Sequence, residues 1–189
     1  MQCQRCTECR EYLNSVQRDV IDTGRDLGVL LLDGPTGIVP ARFQSDDIVD
    51  RSKTYEVVGF GAYDVAPRPG TNGPPEAIGA GVKRNGPVAS ATNQCDTHDT
   101  CSFGCAQNEE IVAGNTVRSG IDTCLGDSGS GIWTNNSGLA DVDPNQLSLV
   151  GITSRGTSYN RRLCGDGGVY VRLNSEKQKL IHDRISQLR

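Results

Sequence analysis

The chain has 189 residues and a formal net charge of −4, with its charges scattered rather than run together, so it presents no nucleic-acid or anionic-membrane surface. No apolar run reaches the roughly eighteen residues of a membrane-spanning helix. Twenty-three glycines, eight prolines and only 5 % aromatic residues suit many short strands joined by turns, hence an all-β reading for a single domain.

Residues 1–22 are polar, carry Cys3, Cys6 and Cys9, lack an apolar signal core and read as a remnant connection with little structure of its own. Asp26 to Leu32 is an apolar run stopped by the turn cluster Asp33-Gly34-Pro35-Thr36-Gly37, which predicts a buried strand. A strand is expected from Tyr55, a Pro/Gly-rich surface loop over 67–75, a returning strand over Ala80 to Arg84, and a polar, cysteine-bearing loop over 93–108. Gly131-Ile132-Trp133, Leu147 to Ser154 and Val169 to Leu173 alternate as strands. From Ser175 onward the pattern is helical, with Asn174 or Ser175 as cap, Glu176 in the first turn, and Leu180, Ile181, Ile185 and Leu188 on one face.

The most informative segment is Gly126-Asp127-Ser128-Gly129-Ser130-Gly131, which sets a serine on a tight glycine turn directly after a carboxylate. Such a serine is exposed and flanked by free backbone N–H groups, the donors that acyl transfer uses to hold a developing oxyanion. Gly-x-Ser-x-Gly alone is also a common turn, so its neighbours decide the reading.

Read outward, Asp122-Thr123-Cys124-Leu125-Gly126-Asp127-Ser128-Gly129 resembles the nucleophile segment of the trypsin/chymotrypsin-like serine endopeptidases. Arg25 to Leu32 looks like that family's strand bearing the triad aspartate, and Val58-Gly59-Phe60-Gly61 like its Gly-Trp-Gly strand. Leu149 to Gly156 and Gly167 to Leu173 match the two strands that wall the primary specificity pocket. The resemblance thus runs in order over residues 25–173. It implies a trypsin-like double β-barrel, of which residues 23–189 cover the end of the first barrel and the complete second barrel (about 50–173), plus a C-terminal helix (about 175–188). Ile38 to Phe43 corresponds to the crossing between the barrels.

On that resemblance Ser128 is the nucleophile, Asp26 the residue that orients its base, and the N–H groups of Gly126 and Ser128 the oxyanion hole. Asp122, six residues before Ser128, lies at the pocket floor, with Ser154, Gly156 and Gly168 on the walls, which implies cleavage after Arg or Lys. Cys124 and Cys164 correspond to a family disulfide, which implies an oxidising compartment, secreted or periplasmic. No cofactor or metal is implied; the partner is a peptide or protein substrate, and the chain is expected to be a monomer.

The chain also departs from the family pattern. No histidine precedes Asp26; the two present are His98, in the cysteine-bearing loop, and His182, on the C-terminal helix. Asp127, which the family pairs with an activation-released N-terminal amine, has no Ile-Val-Gly-Gly-like start to meet, so a disordered pocket or an outward-turned Asp127 is expected. Arg155 stands where the family often has Trp, Thr157 to Leu163 lengthen a loop, and Val112 and Thr134 hold two common cysteine positions. Cys95, Cys101, Cys105 and His98, like Cys3, Cys6 and Cys9, loosely resemble a zinc cluster, but neither has paired Cys-x-x-Cys spacing, and local disulfides of open pairing are the favoured reading. The expected function is that of a serine endopeptidase sequence lacking its front portion and inactive by itself; the alternative is a non-catalytic homologue that binds a basic peptide or protein.

Overall fold

A computed structural model of the chain describes residues 26–44, 49–50, 52–53, 55–67, 69–70, 75–88, 105–114, 122–135, 147–156, 164–165 and 167–188. Among these residues, short runs broken by glycine and proline give nine strands: β1 (Arg42–Phe43), β2 (Tyr55–Gly59), β3 (Asp64–Ala66), β4 (Glu76–Ile78), β5 (Arg84–Val88), β6 (Glu110–Ala113), β7 (Gly131–Asn135), β8 (Leu147–Gly156) and β9 (Gly168–Arg172). One helix follows, α1 (Ser175–Leu188).

Seven strands form one sheet in the order β5-β2-β7-β8-β9-β6, with β1 lying parallel beside β8 and every other pairing antiparallel. β3 and β4 pair separately. The period-two rule sorts the side chains. Ile111 and Ala113 of β6 join Tyr55, Val57, Val88, Ile132, Val150 and Tyr170 in the main core, while Val112 packs on the opposite face with Val169 and Cys105. Strands β6 and β9 are buried on both faces, which explains their nearly unbroken apolar sequences. Fully burying a large apolar chain of this kind contributes about 1.5–3 kcal/mol.

α1 begins where the sequence reading puts it. The Asn174 Oδ1 accepts the Lys177 N–H at 3.0 Å, so Asn174 is the N-cap. The helix docks through polar groups more than apolar ones: Lys177 is buried and ion-paired with Glu109, and Gln178 Nε2 donates to the carbonyls of Gln44 and Leu173. His182 lies edge-on to the Phe43 ring, 6.2 Å between centroids. Leu180, expected on the buried face, is instead 53 % exposed, because the docking stripe is set by Lys177, Gln178 and Ile181.

Two other expectations are corrected. The stretch 26–32 is extended but is neither a strand nor buried; Leu30 is 88 % exposed. A strand needs a hydrogen-bonding neighbour and a covering layer, and among the described residues neither is present there. The return expected over Ala80 to Arg84 starts later, since the glycines at 79 and 81 take positive φ and turn the chain until Arg84.

Burial raises the hydroxyl pKa of both Tyr55 and Tyr170 above the ordinary tyrosine value of 10.0. The folded chain therefore keeps these protons after the unfolded chain has lost them, so stability is complete below about pH 10 and falls as the pH rises further. Urea unfolding at pH 8 and at pH 10.5 is expected to show this loss, and Tyr55→Phe is expected to reduce it in part, the more deeply buried Tyr170 retaining the rest.

Candidate active site

The turn after Cys124 is shaped by two glycines, Gly126 and Gly129, with φ of +93° and +83°, values that only glycine takes without strain. Between them Asp127 points inward and Ser128 outward; Asp127 is 9 % exposed. The Asp127 Oδ1 accepts the Gly61 N–H at 2.7 Å and its Oδ2 the Cys124 N–H at 2.9 Å. The expected outward turn of Asp127 is thus overturned: two backbone donors satisfy the buried carboxylate. The same contact accounts for the Gly59 and Gly61 pair, since a Cβ on Gly61 would come within 2.5 Å of the Asp127 Cγ. Among the described residues no backbone acceptor takes the N–H of Gly126 or of Ser128.

Strand β8 meets this turn residue by residue. Thr153 accepts the Gly129 N–H at 2.9 Å, donates its own N–H to Ser130 at 2.7 Å, and shares a 3.0 Å hydroxyl contact with Ser130. The next residue, Ser154, donates its hydroxyl to Asp26 Oδ2 at 2.8 Å, joining positions 128 residues apart. Asp26 and the turn residues Gly129 and Ser130 thus meet adjacent residues of β8, Ser154 and Thr153.

Of the pocket residues named from the sequence, Asp122 is fixed by hydrogen bonds to the loop around Cys164, and Gly156 and Gly168 by strand pairing. Asp122 receives the N–H groups of Gly165 and Gly167 on its two oxygens, each at 2.7 Å. That loop is covalently fixed, because Cys124 and Cys164 form a disulfide with a Cα–Cα distance of 4.8 Å. Gly156 is exposed and pairs with buried Gly168, where a Cβ would strike the Tyr170 hydroxyl and Thr123 Oγ1 at 2.7 and 2.9 Å. A cavity of about 180 Å³ is bounded by Asp122, Asp127, Arg84, Tyr63 and both halves of the disulfide; Ser154, Gly156 and Gly168 do not line it.

A sequence model of the trypsin family matches residues 10–180. The chain belongs to the trypsin family. No curated protein sequence matches it. Membership places this chain among the serine peptidases, which act on peptides and proteins, and its antiparallel sheets with a C-terminal helix are the β fold of that family. Among the described residues no helix is long and apolar enough to cross a membrane.

Of the remaining sequence candidates, His98, Cys3, Cys6, Cys9, Cys95 and Cys101 lie outside the described residues. Cys105 is disulfide-bonded, so its sulfur does not serve as a thiolate ligand. Val112 and Thr134, which replace two family cysteines, are buried side chains of the sheet.

One feature of this trypsin-family site escaped the sequence reading. Arg155 makes a bidentate ion pair with Glu110, at 2.8 and 2.9 Å, and Glu110 is fully buried and also accepts the Ala106 N–H at 2.9 Å. The pair reaches from β8 across β9 to β6. Its signal was present: an arginine in place of an apolar residue needs a carboxylate, and Glu110 heads the otherwise apolar run Ile111-Val112-Ala113. Arg155→Leu leaves Glu110 buried without its cation and is expected to cost about 3–5 kcal/mol in denaturant unfolding. Gly61→Ala drives a methyl group into the Asp127 carboxylate and is expected to cost about 1–3 kcal/mol, measured in the same way.

Proposed function

We propose that this chain carries the nucleophile and the specificity pocket of a trypsin-type serine endopeptidase, with Ser128 as nucleophile and the N–H groups of Gly126 and Ser128 as oxyanion donors. The observation that carries this reading is the hydrogen bond from Ser154 to Asp26, which brings a carboxylate remote in sequence to the stretch of β8 that also holds the Ser128 turn. In the full reaction the Ser128 hydroxyl attacks the scissile carbonyl, its proton passes to a base oriented by Asp26, and water resolves the acyl-enzyme. The developing oxyanion is met by two N–H groups that no backbone acceptor among the described residues occupies, each such donor being worth about a hundred- to thousandfold in rate.

Asp122 supports recognition of Arg or Lys. Its two backbone hydrogen bonds fix its orientation without cancelling its charge, and a charged carboxylate is the group that pairs with a guanidinium or ammonium. Of the two histidines, His182 lies on α1 against Phe43 and His98 falls outside the described residues, so neither is assigned as the base. On this reading the residues named bind a basic side chain and, without a base, are a poor catalyst. Its disulfide and its family favour an extracellular or periplasmic location.

A fluorescent benzamidinium compound tests the pocket without needing the base. It is expected to bind this chain, and Asp122→Asn is expected to weaken it at least about tenfold, as loss of a charge-assisted pair does. No saturable binding by the folded protein would remove the Arg/Lys reading. Hydrolysis of an arginine ester at the rate of a complete protease, abolished by Ser128→Ala, would overturn the claim that the isolated chain is inactive.

A further inference from the structure

Arg84 opens β5, and its guanidinium lies among three carbonyls. Its Nη1, which has two hydrogens, donates to Gly79 at 2.6 Å and shares its donors between Val82 at 3.2 Å and Gly61 at 3.3 Å, while the group lies 5.1 Å from the centroid of the Tyr63 ring. These contacts join two adjacent turns, 60–63 and 78–82, which are also linked by the Tyr63 N–H to Ile78 and the Gly81 N–H to Phe60. A Cβ on Gly79 would collide with the Tyr63 ring and approach the guanidinium, so glycine at that position belongs to the same assembly.

The contact with Gly61 leads on toward Ser128. The Gly61 carbonyl belongs to the peptide unit whose other end is the Ala62 N–H, and that N–H donates to the Leu125 carbonyl at 2.8 Å. The Leu125 carbonyl in turn belongs to the peptide unit whose other end is the Gly126 N–H. Gly126 and Gly61 lie close together, with room for little more than a methyl group between them, since a Cβ added to Gly126 would lie 3.4 Å from the Gly61 Cα. A cation is therefore followed by two aligned peptide units, and the last of them ends on an N–H that no backbone acceptor among the described residues takes.

We propose that Arg84 is a positioning residue for the Gly126 N–H, which it both orients and polarises through the Gly61–Ala62 and Leu125–Gly126 peptide units. The proposal rests on the reading of that N–H as an oxyanion donor. Its physical basis is that hydrogen bonds in series strengthen one another, by about 10–30 % per bond, and that a cation at the carbonyl end of such a series draws electrons from the terminal N–H. Arg84 also stands on the wall of the cavity that Asp122 and Asp127 line. The turn bearing Ser128 is thereby braced by a cation of the chain itself.

The amide proton of Gly126, followed by NMR in the whole chain, reports on the relay directly. Arg84→Met is expected to move it upfield, and Arg84→Lys, which keeps a cation able to reach a carbonyl, to restore part of the shift. The Gly129 amide, which donates to Thr153 and lies off the relay, is expected to stay in place in both variants. An unmoved Gly126 proton in folded Arg84→Met, or equal movement of Gly126 and Gly129, overturns the proposal. Should Arg84→Met fail to fold, the unmodified protein supplies a second measurement: a through-hydrogen-bond coupling between the Ala62 nitrogen and the Leu125 carbonyl carbon is expected, and its absence overturns the relay. Benzamidinium binding separates the two readings, since a chain that shows the coupling but binds no amidinium keeps the relay and loses the pocket.

Discussion

The Asp127 carboxylate is the interaction on which the rest of the site depends. Desolvating an ion costs several kcal/mol, and two hydrogen bonds from backbone N–H groups to a charged acceptor return about 1.5–3 kcal/mol each, so the two contributions come close to offsetting. What the arrangement secures is geometry. One oxygen is held by the turn after β2, through Gly61, and the other by the segment before Ser128, through Cys124. The glycines at 59 and 61 leave the room, and Ser128 follows in sequence, exposed.

Strand β8 carries the other half of the arrangement in four consecutive residues. Thr153 holds the serine turn, Ser154 holds Asp26, Arg155 holds Glu110, and Gly156 pairs with Gly168. A regular strand sends alternate side chains to opposite faces. The register against β9 shifts between Thr153 and Arg155, and such a bulge re-aims the side chains around it. The local irregularity is what lets one strand act as the spine of the site.

Much of this was legible in the amino-acid sequence, because the residues concerned are punctuators or charged groups in unusual places. The glycines around Ser128, the order of Asp26, Asp122 and Ser128, and the cysteines at 124 and 164 were readable together, each gaining its meaning from the others and from the family resemblance. The apolar run over 26–32 misled for a physical reason: hydrophobicity states that a segment is suited to burial, and not what covers it. Leu180 misled similarly, because helical periodicity does not reveal that Lys177 and Gln178 supply the docking contacts of α1. The seat of Asp127 and the setting of Arg84 among three carbonyls were invisible, since backbone N–H and C=O groups are the same at every residue and only the fold aims them.

The spacing of these contacts along the chain has a consequence for how the protein folds. Asp127 meets Gly61 across 66 residues, Asp122 meets Gly165 across 43, and Ser154 meets Asp26 across 128. The sheet itself pairs Arg42 with Ser148 and Tyr55 with Thr134, so sheet and site alike close long loops. Closing loops of this size costs entropy before any contact rewards it, which is the signature of a slow-folding topology. In kinetic terms, neither the sheet nor the pocket can be built from local contacts.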